Sequence, residues 1–179
     1  MSDTSPDSAS EGGRALIIRS ARAADSYAIL SINRDGVPGV GALAPPDVAF
    51  YHDRSTLFRV AEERGQVVAY VVIFDSRAAY DGEEYLWFRN RYDAFLYIDQ
   101  VAVAREARGR GVAAALYDDV EKAARASSTP TLVCEVNLEP DNPPSHRFHR
   151  RRGFLEVGRL RSGDGRLVSL LEKRLRDPG

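Results

Sequence analysis

Residues 102–120, AVAREARGRGVAAALYDDV, contain the change from strand to helix that decides the fold. The preceding AFLYIDQVAV (94–103) is rich in β-branched and aromatic residues and predicts a strand. After the glycines, apolar residues recur every three to four positions, which predicts an amphipathic helix. Residues 108–111, RGRG, lie where this helix begins, although glycine is costly inside a helix. The pattern therefore predicts a strand, a glycine-rich loop and a helix.

The start of this helix is suited to binding phosphate. A helix N-terminus has four unpaired N–H groups and a partial positive charge. Gly109 and Gly111 allow the backbone to close on an anion, and Arg108 and Arg110 add positive charge. The loop predicts a pyrophosphate ligand; a capping loop with surface arginines is the alternative from these residues alone.

Two well-known phosphate motifs fit the loop less well. A P-loop needs Gly-Lys followed by Ser or Thr, but here Val112 follows Gly111. The dinucleotide fingerprint is matched by Gly109, Gly111 and Ala114, with Glu135 some twenty residues further on. In that motif the glycines follow the strand at once, whereas AREAR intervenes here. A nicotinamide-dinucleotide enzyme is therefore disfavoured.

Composition restricts the class of protein. The 179 residues, 44% of them hydrophobic, suit one domain, and the 25 basic and 26 acidic residues nearly cancel. We expect no nucleic-acid or membrane partner, and a cytoplasmic location, because Cys134 is the only cysteine and no apolar run is long enough for a membrane span. Residues 1–13 predict a disordered tail before a domain at 14–179.

The order of the predicted elements is β-α-ββ-β-α-β-α-ββ, which favours an α/β domain with a mixed sheet. Asp25 is a candidate cap for the first helix, and a helical turn is expected near residues 47–52. Asn142 is a candidate cap for the last helix, with Pro143 at its first position and Gly153 at its end.

Two blocks of sequence resemble one known family, the GNAT acetyltransferases. Its acetyl-CoA loop has Gln or Arg, two residues, Gly, one residue, then Gly or Ala. Arg108, Gly111 and Ala113 match that loop. Residues 142–154, NPPSHRFHRRRGF, are similar to a second block of the family, matching it at Asn142, Ser145, Phe148, Gly153 and Phe154. The resemblance extends loosely over residues 16–175 and implies a mostly antiparallel mixed sheet of about six or seven strands.

This resemblance implies acetyl-CoA as the co-substrate and direct transfer of its acetyl group to an amine. The acceptor is expected to be a small molecule or an amino-terminal group, and a homodimer is possible. A backbone N–H of Val101 or Ala102 is expected to meet the thioester oxygen. The predicted cofactor-binding residues are Val101, Ala102, Val103, Arg108, Gly109, Arg110, Gly111, Val112, Ala113, Asn142, Ser145 and Phe148.

Asp99 is the candidate general base. A lysine-like amine has a pKa near ~10.4, so a carboxylate must take its proton. Asp99 lies within an otherwise apolar or neutral strand, where burial would raise its pKa. Glu135 is the alternative carboxylate, and an Asp99 paired only with its neighbours is the structural alternative.

His149 stands where the family usually has tyrosine. A histidine can protonate the leaving thiolate, so His149 is the candidate general acid, or else a packing residue beside the cofactor. His146 lies one helical turn away, but without a third ligand no metal site is expected. Because of this departure, a non-catalytic acyl-CoA-binding or regulatory module is the alternative function.

The segment YDGEEYLWFRNRY (80–92) combines aromatic rings with acidic groups. Tyr80, Tyr85, Trp87 and Tyr92 could face a cationic acceptor. Packing within the domain or a dimer contact is the alternative. The segment is therefore a second candidate for the acceptor site.

Overall fold

The computed structural model describes residues 15–175, which form one seven-stranded sheet in the order β1-β2-β3-β4-β5-β7-β6. Neighbouring strands are antiparallel except β4 and β5, which are parallel. The predicted α/β domain with a mixed, mostly antiparallel sheet is confirmed. The strands are β1 (Leu16–Ser20), β2 (Leu57–Glu63), β3 (Gln66–Asp75), β4 (Leu96–Val103), β5 (Thr131–Glu139), β6 (Leu155–Arg161) and β7 (Leu167–Arg174).

Helices cover both faces of this sheet. Residues 68–74 of the interior strand β3 are buried without a break, so side chains on both of its faces lie in the core. The longest helix, α4, packs against β1 to β5. The α-helices in the described residues are α1 (Ser26–Gly36), α2 (Pro45–Arg54), α3 (Glu83–Arg89), α4 (Val112–Ala126) and α5 (Pro143–Arg151).

The sheet opens between β4 and β5. These strands are paired only where Leu96–Ile98 meets Leu132–Cys134. On its other edge β4 has a bulge, because Ile98 pairs with Ile73 and Gln100 with Val72, which leaves Asp99 as the extra residue. The backbone of β4 beyond Ile98 therefore faces a gap instead of a neighbouring strand.

Several local predictions can be compared with these elements. The expected helical turn near residues 47–52 is the longer helix α2. Asp25 is the N-cap residue of α1, as predicted, but its side chain makes no capping hydrogen bond, because its carboxylate accepts from Arg22 N and from Arg19. The predicted tail at residues 1–13 lies outside the described residues.

Candidate active site

A cavity of about 620 Å³ fills the gap between β4 and β5. It brings together many of the side chains predicted from the sequence. Residues 109–113 continue from its edge without lining it, and Phe148 packs instead on the ring of Tyr117. The predicted site residues that line the cavity are Asp99, Val101, Ala102, Val103, Arg108, Asn142, Ser145 and His149.

The glycines of the loop set its backbone conformation. Gly109 and Gly111 have φ of 73° and 81°, in the left-handed region that favours glycine. A Cβ at either position would meet no atom within 4 Å, so the space beside both is open. Gly111 O accepts the first α4 bond, from Ala115 N, which leaves the amides of the first turn without helical partners. The first-turn amides of α4, which have no partner within the helix, therefore lie next to the open space beside Gly109 and Gly111.

The two loop arginines already have partners within the chain. Arg108 donates from Nε to Val103 O at 3.0 Å and from Nη2 to Asp35 O at 2.9 Å. It thereby ties the end of β4 to the end of α1 at the edge of the cavity. Arg110 forms an ion pair with Glu63 on β2. Of the two, Arg108 borders the cavity.

Asp99 is held by two phenols at the base of the gap. Tyr51 of α2 donates to Oδ2 at 2.7 Å, and Tyr80 donates to Oδ1 at 2.6 Å. Burial raises the pKa of Asp99, and the two phenol hydrogen bonds lower it in part. The carboxylate therefore has a partner on each oxygen and an elevated pKa.

Glu135 is the matching carboxylate on β5. Its Oε2 is buried and has no hydrogen-bond partner among residues 15–175. Burial, followed by repulsion from Glu84 and Asp99, raises the pKa of Glu135 well above its ordinary value. Asp99 and Glu135 are the first residues after the last paired positions of their strands, so separation of the strands places both at one point.

Arg166 supplies positive charge at this end of the cavity. The guanidinium donates to Asn137 Oδ1 at 3.1 Å and lies 3.4 Å from Glu84 Oε1. Arg166 lines the cavity and lowers the pKa of both Asp99 and Glu135, but less than burial raises them. Asp164 also pairs with Arg166 Nε at 2.6 Å, so four carboxylates share one guanidinium, which favours a cationic ligand.

A buried polar network fixes the loop that crosses the cavity mouth. Asn33 Nδ2 donates to Gly41 O at 2.8 Å, and Asn33 Oδ1 accepts from Leu43 N at 2.8 Å. Tyr70 donates to Gln100 Oε1 at 2.8 Å. The network therefore holds the segment after α1 against β4.

His149 is buried in the wall of the cavity, on α5. Its Nδ1 lies 2.9 Å from Ser145 O, and its Nε2 lies 2.7 Å from the Tyr117 hydroxyl. Burial lowers the pKa of His149 to about 4, so the imidazole is neutral at pH 7. Asn142 caps this helix by accepting a hydrogen bond from Ser145 N at 3.3 Å. This bond fixes the first turn of α5, where Asn142 and Ser145 lie.

Some aromatic residues of the segment 80–92 lie at the candidate site, and others lie in the core. Tyr80 reaches Asp99, whereas Tyr85 donates to the carbonyls of Asp75 and Ala78 and lies in the core. Trp87 lies under the guanidinium of Arg91 at 3.8 Å. Of these three, the structure brings Tyr80 to the candidate base.

Sequence reasoning missed Tyr51, Tyr117 and Arg166. Tyr117 carried a signal, because it is a polar aromatic residue beside the apolar stripe of its helix. Tyr51 and Arg166 lie far along the chain from Asp99, and no sequence pattern indicated that either would reach the site.

Residues 15–175 contain no group of three His, Cys, Asp or Glu side chains arranged to hold a metal ion. No helix among them combines the length and apolar character needed to cross a bilayer.

Comparisons with known proteins identify the family. Residues 27–154 match the acetyltransferase (GNAT) family. No curated protein matches the chain significantly. Ard1 from Thermoplasma volcanium superposes with a TM-score of 0.75 and 19% identity, over 90% of this chain and 99% of that one.

Two other solved structures are similar over most of both chains. The ribosomal-protein-alanine N-acetyltransferase from Brucella melitensis has a TM-score of 0.67 and 25% identity, over 89% of this chain and 99% of that one. Salmonella typhimurium yncA, solved with acetyl-CoA, has a TM-score of 0.67 and 19% identity, over 92% and 96%. The family match covers more than half of the sequence, and the chain belongs to the GNAT acetyltransferase family.

Proposed function

We propose that this protein is an N-acetyltransferase that moves an acetyl group from acetyl-CoA to an amine by direct transfer in a ternary complex. The observation that carries the proposal is the pair of buried carboxylates, Asp99 and Glu135, at the point where β4 and β5 separate. Beside them the backbone of β4 is open to the cavity. Proton acceptors and backbone donors thus lie together, as amide formation from a thioester requires.

Acetyl-CoA is assigned to the side of the gap nearest α4. Its pyrophosphate would bind the free amides of residues 109–113, beside the open space at the two glycines. Arg108 is placed to add positive charge at the edge of the cavity. The pantetheine arm would follow residues 101–103, with Asn142 and Ser145 on the opposite wall.

The chemistry begins with deprotonation of the amine. An ammonium group with a pKa near ~10.4 gives its proton to the carboxylate pair. Asp99 is the base predicted from the sequence, and Glu135 Oε2 has no hydrogen-bond partner within the described part of the chain. The neutral amine then attacks the thioester carbon, while a backbone N–H of Val101 or Ala102 stabilises the oxyanion. The C–S bond breaks last, and the sulfur takes a proton.

The acceptor is assigned as a small-molecule amine or an amino-terminal group. Asp99, Glu135 and Glu84 outnumber Arg166 at this end of the cavity, which favours a cationic amine. The name of the Brucella melitensis relative, at 25% identity, supports an amino-terminal group. A cytoplasmic location and a homodimer stay predictions from the sequence.

A panel of amines incubated with acetyl-CoA and the full chain tests the proposal. Equimolar CoA and acetylated amine are expected with at least one amine, detected by a thiol reagent and by mass spectrometry. Saturable acetyl-CoA binding without turnover would instead favour the non-catalytic acyl-CoA-binding or regulatory module. Selective binding of NAD in place of acetyl-CoA would contradict both.

A further inference from the structure

Tyr117 and His149 form a buried pair in the cavity wall. The Tyr117 hydroxyl lies 2.7 Å from His149 Nε2. Tyr117 is fully buried and His149 is 4% exposed, yet both line the cavity. The pair joins α4 to α5, the two helices whose N-termini flank the proposed cofactor site. A polar contact this deep belongs to the cavity and not to the outer surface.

Aromatic packing fixes the orientation of this pair. The Phe148 ring meets the Tyr117 ring edge-on, with centroids 5.0 Å apart, and Phe154 meets His149 edge-on at 5.2 Å. The Arg152 guanidinium lies 5.5 Å from the Tyr117 ring centroid. Neither ring can turn without repacking its neighbours, so the two polar ends stay together.

The neutral imidazole has a partner for either tautomer. With hydrogen on Nδ1, the ring donates to Ser145 O at 2.9 Å, and Tyr117 donates its only proton to Nε2. With hydrogen on Nε2, the ring donates to the Tyr117 oxygen, and Nδ1 accepts from Ser145 Oγ at 3.3 Å. In the second arrangement the Tyr117 proton is free to point into the cavity.

We propose that Tyr117 protonates the departing CoA sulfur and that His149 is the positioning residue that orients its hydroxyl. This assignment rests on the proposed acetyl transfer. The general-acid role that the sequence analysis predicted for His149 is thus assigned to Tyr117, because both ring nitrogens of His149 already have hydrogen-bond partners. The tyrosine expected on α5 is thus replaced by a phenol from α4.

The C–S bond of the tetrahedral intermediate breaks, and its electron pair goes to sulfur. The sulfur takes the Tyr117 proton, which leaves a phenolate that accepts a hydrogen bond from Nε2–H of His149. Water returns a proton to the phenolate after CoA leaves, while the carboxylate pair releases the proton taken from the amine. The net change converts amine and thioester into amide and thiol.

Paired substitutions test the assignment. Tyr117→Phe should lower kcat by roughly 10- to 100-fold with little change in the KM for acetyl-CoA, at the low end of general-acid effects. His149→Phe should also lower kcat, and the double Phe variant should lose little more, since the two residues act as a unit. Tyr117→Phe with His149→Tyr should regain much of the rate, because it returns a phenol to the site from α5.

Tyr85→Phe is the matched control. Tyr85 is also fully buried and hydrogen-bonded, but to the carbonyls of Asp75 and Ala78, and it does not line the cavity. Its kcat should match the wild type. Tyr117→Phe turning over as fast as Tyr85→Phe would overturn the assignment, whereas a wild type inactive with every amine would overturn the proposed function.

A second measurement needs no turnover and no variant. Nitrogen-15 NMR of His149 in the full chain reports its tautomer. Saturating CoA should shift the ring towards Nε2–H, whereas desulfo-CoA, which lacks the sulfur, should not. Identical His149 spectra with the two ligands would contradict the assignment even if Tyr117→Phe failed to fold.

Discussion

The two sides of the gap between β4 and β5 are built differently. The cofactor side comes mainly from one continuous stretch, residues 101–113, which contributes largely backbone, with Asn142 and Ser145 on the opposite wall. The acceptor side combines side chains from four separate segments of the chain, namely Tyr51, Tyr80, Asp99 and Glu135. The geometry of a site built from backbone depends on the local conformation of one segment. The geometry of a site built from distant side chains depends on the whole fold. Binding and reaction should therefore be separable by substitution.

Loss of a carboxylate should give the largest effect. Asp99→Asn and Glu135→Gln should each lower kcat by roughly 10²-fold or more at neutral pH, because the amine then keeps its proton. The rate should recover partly as the pH rises and the amine deprotonates unaided. Steady-state kinetics with an active amine measure this.

The two variants also locate the proton acceptor within the pair. If Asp99→Asn were fully active and Glu135→Gln inactive, the base would lie on β5 alone. Full activity in both variants would remove the carboxylates from the mechanism.

Substitution in the loop should remove binding. Acetyl-CoA at a hundredfold excess over its dissociation constant should stabilise the wild type by ~2.7 kcal/mol, and each kcal/mol raises Tm by roughly 2–4 °C at this size. Gly111→Glu should abolish this shift, because a carboxylate would occupy the space assigned to phosphate. Thermal melts with and without acetyl-CoA measure it, and NAD should give no shift.

Gly65→Glu is the control for that variant. Gly65 also has a positive φ and open space around it, but it lies in the turn between β2 and β3. Both variants carry the same backbone strain and the same added charge. An acetyl-CoA shift lost equally in both would show that strain, not the phosphate site, was responsible.

The contrast between the two sides explains what could be predicted from sequence. The glycines at 109 and 111 and the cap at Asn142 are local features, and their backbone angles and hydrogen bond agree with that analysis. The strand, loop and helix order likewise follows from local periodicity. These features needed no knowledge of distant contacts.

The acceptor side depended on long-range contacts. Tyr51 donates to Asp99 across 48 positions of sequence, and no local pattern encodes that pairing. The bulge at Asp99 arises from the register between β3 and β4, which periodicity does not specify. The side chain of Asp25 does not bond to the helix that it precedes for a similar reason, because Arg19 on β1 competes for its carboxylate.

Glu135→Gln should raise the stability of the protein, although it lowers kcat. Its pKa in the folded protein lies well above the ordinary 4.5, so the folded chain keeps a proton that the unfolded chain has released. Wild-type stability therefore falls as the pH rises from the unfolded-state pKa through the folded-state one. Glu135→Gln has no such proton, so its Tm should exceed the wild type by a margin of a few degrees that grows as the pH rises from about 5 towards neutrality. Thermal melts across that range measure the margin, and a constant or shrinking margin would contradict the raised pKa.

The smallest effect is expected at Gly82, beside the Tyr80 ring. A Cβ at Gly82 would lie 2.9 Å from Tyr80 Cε1, so Gly82→Ala should displace the ring from its stack on Phe74 and its hydroxyl from Asp99. We expect a several-fold loss of kcat, measured by steady-state kinetics. Tyr80→Phe removes the hydroxyl but keeps the ring; equal losses in both variants would assign the effect to the hydrogen bond, and no loss in either would remove Tyr80 from the acceptor side.

Separation of binding from reaction is tested most directly by titrating Asp99→Asn with acetyl-CoA in a calorimeter. If Asp99 acts only on the amine, the dissociation constant should lie within about twofold of the wild-type value, although the same variant has lost roughly 10²-fold or more in kcat. Acetyl-CoA affinity that falls in proportion to kcat would contradict that separation, because Asp99 would then support the cofactor side instead of the reacting amine.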